Sequence, residues 1–464
     1  MEQFNLEILD KQKPIHMIGI GGISMSALAV ILQSDGFSVT GSDFKDSSAV
    51  QKLINQGIPV AVGHNPQNVG NPSAVVYTAA ISQDNPELMH AKTLGVPVVE
   101  RAVLLGAIMK RYSTPIAVSG THGKTTTTSM LSQVLLEANL NPTILVGGIL
   151  PSIASNMRLG AQEYLVTEAC EYCGSFLKFF PKISLILNVE EDHLDYFKDI
   201  NDIIDCFHAF AEKTPEDGSI IVNGDDKNAL LAVNGVNRTV ITFSTEDTNA
   251  DFYAEDVSYD ESGCAAFTVL KNGEFYMSAK LSVPGPHNVK NALAVIATAD
   301  LLAVLPEDVQ KGFDAFFGTK RRFEQKGLYN GARVIDDYAH HPTEIMTTLK
   351  TAKNATAGKV FCVFQPHTYT RAYKLKDEFA QSFSDCDGVL VVDIYAAREK
   401  DTGLIHSRTL AEEIEKHSHN AQYVESFEKA EEILKQWAKP NDFIITLGAG
   451  DVNTIAENLV TEKK

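Results

Sequence analysis

Lys124 and Thr125 close the run Gly120-Thr121-His122-Gly123-Lys124-Thr125, an order of residue types suited to holding a polyphosphate. Glycines let backbone N–H groups approach phosphate oxygens, a lysine offsets their charge, and the adjoining hydroxyl can bind Mg2+. Thr126 continues the run into a helical pattern whose positive end favours anions. The usual phosphate-loop pattern, G-x-x-x-x-G-K-[ST], needs glycine where Val118 stands. The run is therefore either a shorter loop of that kind or a capped helix start with an exposed lysine.

Further candidates follow buried-looking strands. Glu168 ends "EYLVTE", and Glu190, Asp192, His193 and Asp195 follow "ISLILNV". Glu168 could share Mg2+ with Thr125, and His193 could ligate a second ion beside carboxylates; the plain alternative is a solvated helix start capped by Asp192. In "PGPHNVKNALA", His287, Asn288 and Asn291 open a helix, where the amides either read a base edge or cap the helix. "GTKRRFE" offers Lys320, Arg321 and Arg322 for phosphate. "DDYAHHPTE" (Asp337, Tyr338, His340, His341) and "QPHTYTR" (His367, Arg371) each suit a surface loop, yet all three lie at strand ends in one segment. Near the start, "GIGGISMS" (Gly19, Gly21, Gly22, Ser24, Met25, Ser26) is either a diphosphate-binding turn or a tight turn before a packed helix. Asp43, about 20 residues on, suits a ribose contact. Cys170 and Cys173 form a lone C-x-x-C without the second pair a zinc site needs.

The elements that position these residues alternate. Short apolar strands and helical stretches succeed one another, which predicts an α/β protein of parallel sheets. We expect three domains: a Rossmann-like one over 1–112, a central parallel-sheet domain of phosphate-loop ATPase type over 113–317, and a second Rossmann-like α/β domain over 318–464. The length of 464 residues suits that count.

Composition narrows the partners. A net charge of −19 leaves no general footprint for nucleic acid or anionic lipid. No apolar run reaches the ~18 residues of a membrane span, and the N-terminus lacks a signal-peptide core, so a cytoplasmic protein with reduced thiols is expected. Monomer and homodimer both remain open.

Taken in order, "GIGGISMSALA", "GSD", "GTHGKTTT", "EACEY", "NVEEDHLDYF", "GPHNVKNALA", "GTKRRFE", "DDYAHHPTE" and "FQPHTYTR" resemble signatures of the Mur ligases of bacterial cell-wall synthesis. The similarity spans essentially the whole chain and is strongest to members that add L-alanine. It implies domains for a UDP-sugar, ATP and an amino acid, in that order. It also implies ATP-dependent ligation of L-alanine to the lactyl carboxylate of UDP-N-acetylmuramate, through an acyl phosphate, in peptidoglycan synthesis.

Carried onto this chain, the resemblance assigns Gly120 to Thr126 to phosphate, with Lys124 its cation. Thr125 and Glu168 would hold one Mg2+ and His193 would help hold a second. His287, Asn288 and Asn291 would surround adenine, Arg322 would reach phosphate, and Asp337 and Tyr338 would meet the ribose and adenine side. His340, His341, His367 and Arg371 would lie by the amino acid and acyl phosphate, Arg371 taking the alanine carboxylate. "GIGGISMS" would wrap the UDP diphosphate.

Two departures stand out: Ser24 replaces a third glycine, and Thr368 replaces an arginine common in relatives. A sister ligase adding another amino acid or a peptide is the alternative within the family. A nicotinamide oxidoreductase built on the first segment leaves "GTHGKT", Glu168 and His193 without roles. A non-catalytic regulator would bind ATP without releasing phosphate.

Overall fold

Strands such as Thr114–Ser119 and Phe443–Leu447 are almost wholly apolar and buried on both faces, which suits the middle of a parallel sheet covered by helices. A computed structural model describes residues 4–461 apart from Asp195 and Arg398. Of the acidic residues singled out above, Asp195 lies outside the described residues.

Three sheets follow one another along the chain. The first is all parallel, in the spatial order Val60–Val62, Val39–Asp43, Ile15–Ile18, Ala74–Tyr77, Val98–Glu100. Its chain order reverses beside Ile15–Ile18, the kind of crevice where ligands bind open α/β sheets. The turn Gly19–Gly22 leaves that central strand and enters helix Ile23–Ser34.

The second sheet has ten strands. Its parallel centre runs Thr239–Ser244, Ser219–Asn223, Ile183–Ile186, Thr114–Ser119, Tyr164–Glu168, Thr143–Leu150. Antiparallel strands flank it: Ser155–Arg158 at one edge, and Cys264–Lys271 with Glu274–Pro284 at the other, reached through Phe252–Tyr259. The central sheet is therefore mixed at its margins, because the hairpins lack the crossover helices that parallel pairing requires. Helices Lys124–Glu137 and His287–Leu301 pack on one face, with Val134, Leu135, Leu293 and Ile296 in the shared core.

The third sheet is parallel except for the pair Glu324–Tyr329 and Ala332–Asp337. Phe443–Leu447 lies between Ala332–Asp337 and Val360–Phe364, so "DDYAHHP" and "QPHTYTR" leave the sheet at the same end. No described helix is long and apolar enough to cross a membrane.

Candidate active site

Val118 pairs with Leu185 and Glu168 inside the sheet, so the turn that follows begins only after Ser119. Four residues, Gly120 to Gly123, connect that strand to the helix starting at Lys124. Gly123 has φ +84°, and a Cβ there would stand 2.9 Å from Asn291 Oδ1. Glycine is thus demanded by both backbone and neighbour. Asn188 braces the turn: its side-chain oxygen accepts the His122 N–H at 2.7 Å and its amide donates back to the His122 carbonyl. Lys124 folds over the loop and donates to the Gly120 and Thr121 carbonyls and to Glu171. Burial opposes the ammonium's charge, but Glu171 beside it outweighs burial and raises its pKa.

Thr125 donates to Glu168 Oε2 at 3.0 Å, which sets two hard oxygens side by side at the strand ends, where they could hold a divalent cation. His193, at φ +52°, packs at a tilt on Tyr172 and faces Glu171 at 3.9 Å and Asp192 at 3.7 Å. No helix begins at Asp192, so the capping alternative fails. Asp192 is buried and binds Arg371 of the third domain at 2.9 Å. Burial works against its carboxylate, yet Arg371 holds its pKa far below the usual range.

A cavity of about 240 Å³ opens over the turn, lined by His122, Thr126, Asn288, Asn291, Arg322 and Asp337 among others. Asn291 donates to Asn288 Oδ1 and Asn288 to the Pro284 carbonyl, so the amides form a buried pair and do not cap their helix. His287 also lines this cavity; burial, helped by Arg322, lowers its pKa to about 4 and keeps it neutral. Asp337 accepts the N–H groups of Phe323 and Ala339, and burial lifts its carboxyl to about 6.

A second cavity of about 340 Å³ lies beyond His193, between it, Tyr338, His367 and Arg371. Tyr338 faces this cavity while its neighbour Asp337 faces the first, so the two do not share one ligand surface. His367 contacts the Arg371 guanidinium at 3.0 Å, and His340 packs beside His367. His341 is not with them: it turns to the glycine turn, its ring centroid 4.9 Å from that of His122. Thr368 caps the short helix Tyr369–Lys374, accepting the Arg371 N–H, so the departure from the common arginine still helps aim Arg371.

In the first domain, Gly21 donates its N–H to Asp43 Oδ2 at 2.8 Å, and a Cβ on Gly21 would lie 2.9 Å from that same oxygen. Asp43 thus anchors the turn itself. Ser24, the other departure, accepts a hydrogen bond from Arg101 Nη1 at 3.0 Å. Gly19, Gly22 and Ser26 lie at the turn and the helix start, whereas Met25 points into the core.

Glu171, Glu344 and Arg101 escaped the sequence reading. Glu344 faces His122 and His340 at 3.3 Å and Arg322 at 3.9 Å. The second acid of "EACEY" was the available signal for Glu171; nothing local marks Arg101. The six cysteines are free, and burial, with Glu171 nearby, pushes the Cys170 thiol up to about 11.

A parallel strand, a glycine turn carrying lysine and threonine, and acids from neighbouring strands make up the arrangement of a nucleotide-dependent transferase or ligase. Family models place it further: the chain matches the Mur ligase family catalytic domain over 14–113, the Mur ligase middle domain over 118–299 and the Mur ligase glutamate ligase domain over 321–450. The chain belongs to the Mur ligase family.

It is 50% identical to the UDP-N-acetylmuramate–L-alanine ligase of Acetivibrio thermocellus, over 100% of this chain and 99% of that protein. The enzyme of the same name from Caldanaerobacter subterraneus is 46% identical, over 98% and 99%. Among solved structures, the UDP-N-acetylmuramate–alanine ligase of Thermotoga maritima superposes with TM-score 0.81 at 30% identity, covering 97% of this chain and 99% of that one. A murein peptide ligase from Psychrobacter arcticus gives 0.71 at 28% identity, covering 97% and 98%.

Proposed function

We propose that this protein joins L-alanine to the lactyl carboxylate of UDP-N-acetylmuramate at the expense of ATP, in the cytoplasm, for peptidoglycan synthesis. The observation that carries this proposal is Lys124, held over a four-residue glycine turn with Thr125 and Glu168 paired at its side. The full-length likeness to ligases of that name supports the choice of substrates.

The division of labour follows the three sheets. Residues 1–112 take the UDP-sugar at Gly19 to Ser26, residues 113–317 take ATP, and residues 318–464 supply Arg322 and the amino-acid cavity. ATP fits the first cavity: the turn leaves room that a Cβ at Gly123 would fill, and the Asn288–Asn291 pair presents amides to a base. Mg2+ fits the oxygens of Thr125 and Glu168, with His193 beside carboxylates for a second ion. Bound there, Mg2+ supplies charge that offsets repulsion between phosphate and carboxylate.

Arg322 lines the first cavity from the third domain, and Lys124 lies at the glycine turn on its floor; together they stabilise negative charge as it develops on the transferring group. The carboxylate so activated then faces the second cavity. Behind it His340 packs on His367, which lines that cavity, and is held neutral, burial pushing its pKa down to about 3 with Glu344 opposing. Arg371 takes the alanine carboxylate only by sharing its donors with Asp192 and His367.

The test is release of phosphate from ATP with components omitted in turn. UDP-N-acetylmuramate, Mg2+ and L-alanine are all required. Equal release without amino acid, or with only glutamate or a tripeptide as acceptor, overturns the proposal and points to a sister ligase.

A further inference from the structure

His122 lies between carboxylates of two domains. Its Nδ1 is 3.3 Å from Glu344 Oε1, and its Nε2 is 3.4 Å from Glu190 Oε2 yet buried without a hydrogen bond. His341 comes in from the third domain and packs against it at a tilt, the ring centroids 4.9 Å apart. One ligand atom from each of His122, Glu190 and His341 lies within 4.8 Å of the others. We propose that these three residues form a binding site for a divalent transition metal of the Zn2+ class, which pins the C-terminal domain onto the phosphate loop.

The donor set is two imidazoles and one carboxylate, which suits Zn2+, Co2+ or Ni2+ rather than Mg2+. Tetrahedral coordination puts ligand atoms about 3.3–3.5 Å apart. The His122–Glu190 pair already stands at that distance, and the third atom, from His341, lies within 4.8 Å of both. Outer partners are also in place, as ligating histidines require. Glu344 orients the far nitrogen of His122, and the Glu191 carbonyl holds His341 Nε2 at 3.1 Å. The Thr343 N–H on His341 Nδ1, at 3.4 Å, is the weaker of that ring's two bonds and the one a metal replaces. Binding displaces the proton from His122 Nε2. Thr343 meanwhile donates to Glu190 Oε2 at 2.9 Å, so the carboxylate is already aimed.

This site is distinct from the Thr125, Glu168 and His193 set proposed for Mg2+, and it joins residues from the phosphate loop, the segment after Ile183–Ile186 and the start of helix Pro342–Asn354. Three protein ligands leave an open position for water. An ion there fixes the two domains beside the nucleotide cavity, so it inhibits turnover by holding them together.

The experiment titrates Co2+ into the nucleotide-free full chain in a large excess of Mg2+ and records visible absorption. Ligand-field bands of four-coordinate Co2+ should grow to one ion per chain and be bleached by Zn2+. Glu190→Gln and His341→Gln should each weaken Co2+ binding by about tenfold or more, while Glu168→Gln leaves it unchanged. Circular dichroism checks that each variant folds, with His341→Asn in reserve. Absent bands, or only the weak spectrum of six-coordinate Co2+, overturn the proposal and leave the cluster an ionic contact. Bands lost in Glu168→Gln but kept in Glu190→Gln also overturn it, by placing the ion at the Mg2+ ligands.

Discussion

Two glycine turns in this chain follow a parallel strand and precede a helix, and they are built for different tasks. The turn Gly120–Gly123 is surrounded by ionised groups: Lys124 with Glu171, Thr125 with Glu168, His122 with Glu190 and Glu344. The turn Gly19–Gly22 has no lysine; its polar partners are Asp43, which takes the Gly21 N–H, and Arg101, which reaches Ser24. Backbone N–H groups at a helix start suffice to bind a phosphate, whereas moving one needs charge positioned in advance. On the function proposed above, the contrast separates a turn that holds its ligand from one that reacts it.

That contrast is open to direct attack. Lys124→Ala should lower phosphate release by about 10³-fold while UDP-N-acetylmuramate still binds, as calorimetry would report; an equal loss of sugar affinity would erase the distinction between the turns. Glu168→Gln should cost about 10²-fold in kcat, and raising Mg2+ should recover part of it, because one ligand oxygen is kept. Asp43→Ala, which unties the first turn, should raise KM for UDP-N-acetylmuramate about tenfold with kcat little changed. A fall in kcat alone would show that the first turn takes part in the chemistry.

The smallest effect concerns pH. Burial disfavours a charged His122, but Glu190 and Glu344 raise its pKa to about 9. A histidine raised on folding stabilises fully below its unfolded value, about 6.5, and that contribution fades as pH rises through the folded value. Thermal stability should therefore drop between pH 7 and 9.5 by about 2 °C more in the wild type than in His122→Gln. Melting curves at matched ionic strength would decide it.

Much of the site was legible residue by residue. "TPIAVS" becomes the strand Thr114–Ser119 and "GTHGKT" the turn after it, because apolar runs and glycine turns are local signals. Asp192 is the instructive failure. Its position before an apparent helix start suggested a cap, yet it is buried against Arg371, 179 residues away in sequence. Arg371 in turn was assigned to a substrate carboxylate and already holds a protein one. Tyr338 and Asp337, adjacent and assigned together, part to separate cavities because successive side chains leaving a strand point to opposite sides.

Spacing along the chain was enough to settle the alternation of strands and helices, the short glycine turn and the presence of lysine, hydroxyl and acids near strand ends. Those features depend on neighbours within a few residues, where backbone geometry and apolar periodicity act. Which cation meets which acid was decided only in tertiary structure: Glu171 against Lys124 and Glu190 against His122 across neighbouring strands of one sheet, Asp192 against Arg371 and Glu344 against His122 between the second and third domains. Partners that far apart in sequence leave no periodic trace, since their meeting depends on strand order within a sheet and on how domains are placed, not on local propensity.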